Sequence, residues 1–242
     1  MTKSLGLSGM RKGRAWALGG LLALAGIGNT IAEENPHDPY EGFNRSMFAV
    51  HEAIDKYAAK PVAQVYDNAV PLPVKAGVGN FFGNVGELWV GVNSALQGKF
   101  SDAGVDLGRL LINSTVGIFG LFDVASELGL ERHDEDFGQT MAVWGAGSGG
   151  YLFWPVIGSR TVRDTLGWGV DIMGDPVGYV DSIPVRNSLR GLRIVDIRAS
   201  LLPADKVVEE AALDKYAYIR DAYLQRRRNQ IFDGRPPRQD DY

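Results

Sequence analysis

A mainly α-helical domain with one short, glycine-rich β-hairpin is what the sequence predicts, and three observations carry that prediction. Apolar residues recur at three- and four-residue steps through several long segments, the spacing of one helical face. Prolines fall near the ends of those segments, where helices start and stop. A single stretch, Tyr151-Leu152-Phe153-Trp154-Pro155, has the aromatic character of a strand. The 242 residues are 45% hydrophobic and 22% charged, close to the globular average, so one domain with a core of ordinary size is expected. The 31 glycines are the outlier, because helices rich in so weak a helix former must be held by their surroundings.

Residues 1–32 read as an export signal. Lys3, Arg11, Lys12 and Arg14 come without an acid, and an apolar stretch from Ala15 follows that falls short of the roughly 20 residues needed to cross a bilayer. Small residues then permit cleavage after Ala25 or after Ala32, and the acidic Glu33 and Glu34 favour Ala32. The predicted domain occupies residues 33–231. Beyond the signal, 21 basic residues face 29 acidic ones, and a body so acidic is a poor ligand for nucleic acid.

Within the domain, a helix opening at Asp38 and Pro39 places Phe43, Met47, Val50, Ile54 and Tyr57 on one face, and Pro61 is expected to end or kink it. From Val74 onward, Val78, Phe81, Val85, Leu88, Val92 and Ala95 make a stripe with Phe82, Trp89 and Leu96 beside it. Residues 107–122 form a further apolar segment whose one charge is Arg109. In such a setting Arg109 needs a carboxylate, a carbonyl or a lipid phosphate, the protein partner being the commoner solution. A charged loop at 131–136 leads into a short helix over 137–144.

The run Gly145-Ala146-Gly147-Ser148-Gly149-Gly150 then reads as a hinge or a hairpin turn. It lacks the Gly-Lys-Ser/Thr ending of a phosphate cradle. Residues 159–172 predict an amphipathic helix with Val162, Leu166, Val170 and Met173 on one side and Arg163 and Asp164 on the other. Residues 187–201 and 204–229 predict the last helices, the second opening after Pro203, and residues 232–242, with Pro236 and Pro237, read as a disordered tail.

No catalytic constellation emerges. His37, His51 and His133 lack metal-ligand spacing, the cysteine count is zero, and no His follows Gly147-Ser148-Gly149 as a serine triad would require. A non-enzyme without metal or cofactor is therefore expected. Short, apolar, glycine-rich helices flanked by tryptophans suit a protein lying in a membrane interface. The competing explanation is that the same helices simply form the core of a soluble domain.

Several uncommon strings in one order decide further. Asp38-Pro39-Tyr40-Glu41-Gly42-Phe43-Asn44-Arg45, Asn80-Phe81-Phe82-Gly83-Asn84, Leu96-Gln97-Gly98-Lys99, Asn113-Ser114-Thr115 and Asp136-Phe137-Gly138-Gln139-Thr140 resemble the MlaA (VacJ) family. The resemblance implies a ring-like helical bundle in the inner leaflet of the Gram-negative outer membrane, bound to a trimeric porin. It implies a central amphipathic channel through which mislocalised phospholipid leaves the outer leaflet for a periplasmic lipid carrier protein. Gly145, Gly147, Gly149 and Gly150 then stand as the hinge or gate of the lipid path, and Arg109, Asn80, Phe81, Phe82 and Trp89 as candidate lipid or structural contacts.

Three departures stand out. Gly149-Gly150 replaces a common Gly-Pro, and Glu87-Leu88 a common Glu-Pro. Leu24-Ala25-Gly26 is followed by Ile27 in place of the acylated cysteine, so attachment is expected from amphipathic helices and porin contact. The alternative is a soluble periplasmic scaffold that binds porins without passing lipid. A belt of exposed Trp, Phe and Leu round a ring with a polar hole would favour transport, and a closed core with those residues buried the scaffold.

Overall fold

The computed structural model describes residues 38–237. The expected export signal, both candidate cleavage points and Ile27 lie outside the described residues, as do residues 238–242 of the expected tail.

Helix α1 (Glu41–Ile54) runs without interruption through a π-helical turn (Asp55–Ala59) into α2 (Lys60–Ala69). Pro61 therefore neither ends the helix nor breaks it: it sits in the first turn of α2. The π turn supplies the reason, since it widens the backbone at Tyr57, where the proline ring would otherwise strike the carbonyl four residues back.

Helix α3 (Leu72–Leu96) is followed by a three-residue link and by α4 (Phe100–Thr115), which packs extensively against it. The segment expected to be helical to residue 122 thus stops at Thr115. Ile118, Phe119 and Gly120 adopt φ of 52, 55 and 83°, a left-handed path that no helix continues and that is strained for a β-branched residue such as Ile118. Hydrogen bonds hold it there, Gly120 N–H to Asn113 O at 2.8 Å and Phe122 N–H to Gly117 O at 2.9 Å.

The short α5 (Val124–Glu127) and α6 (Phe137–Val143) precede an antiparallel hairpin of β1 (Tyr151–Trp154) and β2 (Gly158–Thr161), with Tyr151 opposite Thr161 and Trp154 opposite Gly158. Helix α7 begins only at Val162 and ends at Gly174, because the residues expected as its first turn pair in β2 instead, and the Thr161 side chain caps it at Asp164 N. A 3-10 turn (Pro176–Tyr179) leads to α8 (Ile183–Ser200). What the sequence predicts as one last helix is two, α9 (Leu202–Ala211) and α10 (Lys215–Ile231), since the Asp214 side chain caps Ala217 N–H and restarts the helix. Beyond α10, residues 232–234 form a turn, with Asp233 paired to Lys99, and residues 235–237 follow without regular structure.

The apolar core is small. Tyr151, Phe153 and Tyr216 form it where the hairpin meets α1 and α10, with Phe48 edge-on to Phe153 at 5.2 Å between ring centres. Elsewhere the helices bury their polar sides. Helix α3 buries Asn84, Glu87, Asn93 and Ser94, with Phe82 as their one large apolar neighbour, and exposes Val74, Leu88, Val92 and Leu96. Helix α4 buries Asp106, Arg109 and Asn113 and exposes Leu107 and Leu111; α7 buries Arg163 and Asp164 and exposes Leu166, Ile172 and Met173. The apolar stripes mark the outer faces of these helices, the reverse of the ordinary core-facing pattern. Among the described residues no helix is long and apolar enough to cross a membrane.

Candidate functional site

The inward polar faces assemble into ion networks. Arg109, only 1% exposed, donates from Nε to Glu87 Oε1 at 3.0 Å and from Nη2 to both Asp123 oxygens at 3.1 and 3.2 Å. Its Nη1 donates to Leu130 O at 2.6 Å and Ser126 Oγ at 3.1 Å. Every guanidinium nitrogen therefore has a protein partner. Burial raises the energy of an ionised Asp123, yet the Ser126 hydroxyl, the Asn113 amide, the Ser126 N–H and Arg109 together hold its carboxyl down at about 2. Glu87 sits deeper, and burial pushes its carboxyl above the ordinary range against the pull of Arg109.

A second network joins α10 to α6 and α7. Arg227 forks onto Asp136 at 2.7 and 2.6 Å and reaches Asp164 at 2.9 Å, and the Tyr223 hydroxyl donates to Asp164 at 2.6 Å. Burial opposes the charge on Asp164, but Arg227 and the Tyr223 hydrogen bond hold that carboxyl at about 2 as well. An unfolded aspartate titrates near 3.9, so the stability Asp123 and Asp164 supply is complete above that pH and lost as pH falls toward about 2. For Asp164 the amount is about 2 kcal/mol. Unfolding midpoints are expected to hold steady near neutrality and fall through this acid window, more gently in Asp164→Asn. An unchanged acid slope in that variant would remove Asp164 from the account.

The glycine run is not the turn of the hairpin, which Pro155, Val156 and Ile157 make, but the connector from α6 to β1. Gly145 closes α6: at φ 92° its N–H bonds Ala142 O while the Ala146 N–H bonds Met141 O, a glycine helix stop. Gly149 and Gly150 are packed in. A Cβ on Gly149 would lie 2.9 Å from Val162 Cβ, and one on Gly150 2.8 Å from Pro39 and Tyr40. Only Gly147 among the four has open surroundings without a helix-stop role.

The remaining sequence candidates also have protein partners. Asn80 Nδ2 donates to Leu121 O at 3.1 Å, steadying the left-handed segment. Phe81 and Phe82 meet edge to face at 5.2 Å, and Arg193 lies over the Phe82 ring. Trp89 Nε1 donates to Asp171 at 2.8 Å, its ring pressed on Gly174. What sequence reasoning passed over is Glu87, although a signal like the one that singled out Arg109 applies to it, since Glu87 and Lys75 are the two charges of an otherwise apolar helix. Glu87 lines a cavity of about 500 Å³ bounded by α3, α8 and the loop at 131–136, together with Arg132, Asp134, Arg193 and Asp196.

The family described as MlaA lipoprotein matches residues 36–230. The intermembrane phospholipid transport system lipoprotein MlaA of Shigella flexneri is 33% identical over 216 residues, covering 88% of this chain and 85% of the relative. Its counterpart in Haemophilus influenzae is 30% identical over 236 residues, covering 90% of each. An uncharacterized protein of Rickettsia bellii is 36% identical over 192 residues, 79% of this chain and 75% of the relative. A solved structure, from work on the structural basis for maintenance of bacterial outer membrane lipid asymmetry, superposes with a TM-score of 0.70 at 32% identity, covering 82% of this chain and 99% of that one. Sequence relatives and solved structure thus agree along most of the chain's length, and the chain belongs to the MlaA lipoprotein family.

Proposed function

We propose that this protein withdraws phospholipid that has strayed into the outer leaflet of the outer membrane, passes it through an amphipathic opening of a ring-like bundle, and yields it to a periplasmic carrier. The inversion of polarity carries this reading. Among the described residues 17 buried positions are polar or charged against eight that are hydrophobic, while large apolar side chains such as Leu107, Leu111, Phe119 and Phe122 stand exposed. Helices so arranged turn apolar faces outward, where acyl chains can lie against them, while their polar sides pair with one another inside. A soluble scaffold would bury those faces, so this alternative is the weaker reading. The family is a lipid-transport component and not an enzyme, and the passage needs no covalent chemistry.

The relatives are named lipoproteins, whereas these 242 residues contain no cysteine. The exposed apolar groups offer a contact with the periplasmic face of the outer membrane, with a trimeric porin as a second contact. The exposed left-handed segment with Ile118 and Phe119 is suited to it, since no charge lies between Arg109 and Asp123. Movement along the lipid path is assigned to the connector, at Gly147.

The test is restoration of outer-membrane asymmetry in a strain lacking the gene, read as phospholipid accessible at the cell surface. The parent chain is expected to clear that phospholipid and to bring porin and phospholipid with it on purification in mild detergent; failure to clear it would end the proposal. Gly147→Pro fixes φ near −65° and removes an N–H, and it is expected to slow clearance several-fold while the protein stays folded. Clearance at the parent's rate would rule the hinge out.

A further inference from the structure

Helix α3 carries Gly79, Gly83 and Glu87 at four-residue steps, hence on one face and about 6 Å apart along the axis. The α3–α8 cavity opens on that face. Arg132 lies across Gly83 so closely that a Cβ there would sit 2.4 Å from its Nη2. Its nearest acid is Glu87, whose Oε1 stands 3.7 Å from Nε, too far for a hydrogen bond, and the terminal nitrogens have no protein partner among the described residues. Arg132 is 51% exposed along its side chain, so this fork is open to a ligand.

An underused carboxylate flanks that cation on each side. Glu87 is 2% exposed and its Oε2 is buried with no hydrogen-bond partner, Oε1 alone being taken by Arg109. One turn the other way, Asp196 Oδ2 lies 3.7 Å from the Cβ position of Gly79; its Oδ1 accepts from Tyr66, and no cation among the described residues comes within ion-pair distance. A buried acceptor left open is costly unless something reaches it.

We infer that this cavity is a headgroup site for a phospholipid bearing a primary amine, with Arg132 receiving the phosphate and Glu87 or Asp196 the ammonium. This deepens the lipid-passage reading and rests on it. A guanidinium fork matches phosphate oxygens in pairs. Two carbons separate phosphate from ammonium in such a headgroup, a reach that lets one molecule touch a cation and a neighbouring carboxylate together, as Arg132 and Glu87 are placed here. A primary ammonium donates hydrogen bonds to an open carboxylate oxygen. A trimethylammonium group cannot, and would need an aromatic face, but the Phe82 ring is already covered by Arg193. A headgroup with phosphate and hydroxyls only would satisfy Arg132 but bring no cation to the open oxygens of Glu87 and Asp196.

The full chain in mild detergent is titrated with dihexanoyl phosphatidylethanolamine, phosphatidylcholine and phosphatidylglycerol, and with glycerophosphoethanolamine and inorganic phosphate. The ethanolamine lipid is expected to bind about tenfold tighter than the other two lipids and than either soluble probe. Arg132→Gln and Gly83→Ala should each weaken it by about tenfold, the second by displacing a flexible guanidinium without loss of thermal stability. Asp196→Asn should narrow the margin between ethanolamine and choline lipids. Equal binding of the three lipids, or unchanged binding in both Arg132→Gln and Gly83→Ala, would overturn the site, and equal binding of a soluble probe would overturn its assignment to lipid. A parent chain that clears surface phospholipid yet ignores headgroup refutes this site and leaves the transport reading standing; headgroup preference without clearance does the reverse.

Discussion

Arg109→Met is expected to destabilise the protein by about 3–5 kcal/mol, the cost of removing one member of a buried ion network and stranding the others. Glu87 would lose the only group among the described residues that hydrogen-bonds it, and Asp123 the guanidinium that spans both its oxygens. The Leu130 carbonyl and the Ser126 hydroxyl would also lose donors. Arg109→Lys should recover only part of this, because a point charge cannot reach Glu87 and Asp123 at once as the planar fork does. Equilibrium unfolding in mild detergent reads the effect. Had Arg109 been kept for a lipid phosphate, the variant would unfold with the parent and lose transport alone, and that result would displace the structural role.

Gly167→Ala and Gly169→Ala, two residues apart on α7, are expected to move stability in opposite directions. A Cβ on Gly167 would lie 2.5 Å from Gly138 N and 2.7 Å from Gly138 Cα. Those atoms are the backbone of α6, which cannot swing aside as a side-chain tip can, so the two helices must separate. Overpacking of this kind costs about 1–3 kcal/mol, and here the same shift would spread the Arg227, Asp136 and Asp164 network that spans the two helices. Gly169 is exposed with nothing near its Cβ position, so alanine there should stabilise by up to about 1 kcal/mol through helix propensity. Thermal midpoints that move together, in either direction, would refute the close approach of α6 and α7.

Much of the helical layout was open to inspection in the sequence. The stripe beginning at Val74 lies in α3, the short helix after the charged loop is α6, and the aromatic run at Tyr151 is β1. The errors cluster where a tertiary or local contact outweighs the period. Pro61 is absorbed by a π turn, residues after Thr115 leave the helix for a left-handed path, and Asp214 divides the last helix in two. Gly145 and Gly147 look alike in the sequence, yet one completes a helix stop and the other stands free, a difference set by the carbonyls that α6 presents.

Periodicity and a set of uncommon strings were enough to place most of the helices, the aromatic strand of the hairpin and the family. They could not determine which face of each helix turns inward, because an apolar stripe is satisfied equally well by a protein core and by lipid. That choice belongs to partners far apart in the chain: Glu87 and Arg109 are 22 residues apart, and Asp136 and Arg227 are 91. Charges so placed can be buried only when they meet one another, and their meeting sends Leu88, Leu107 and Leu166 outward. The glycine excess finds its reason at the same level, since Gly138 and Gly167 let α6 and α7 approach close enough for Arg227 to reach both acids.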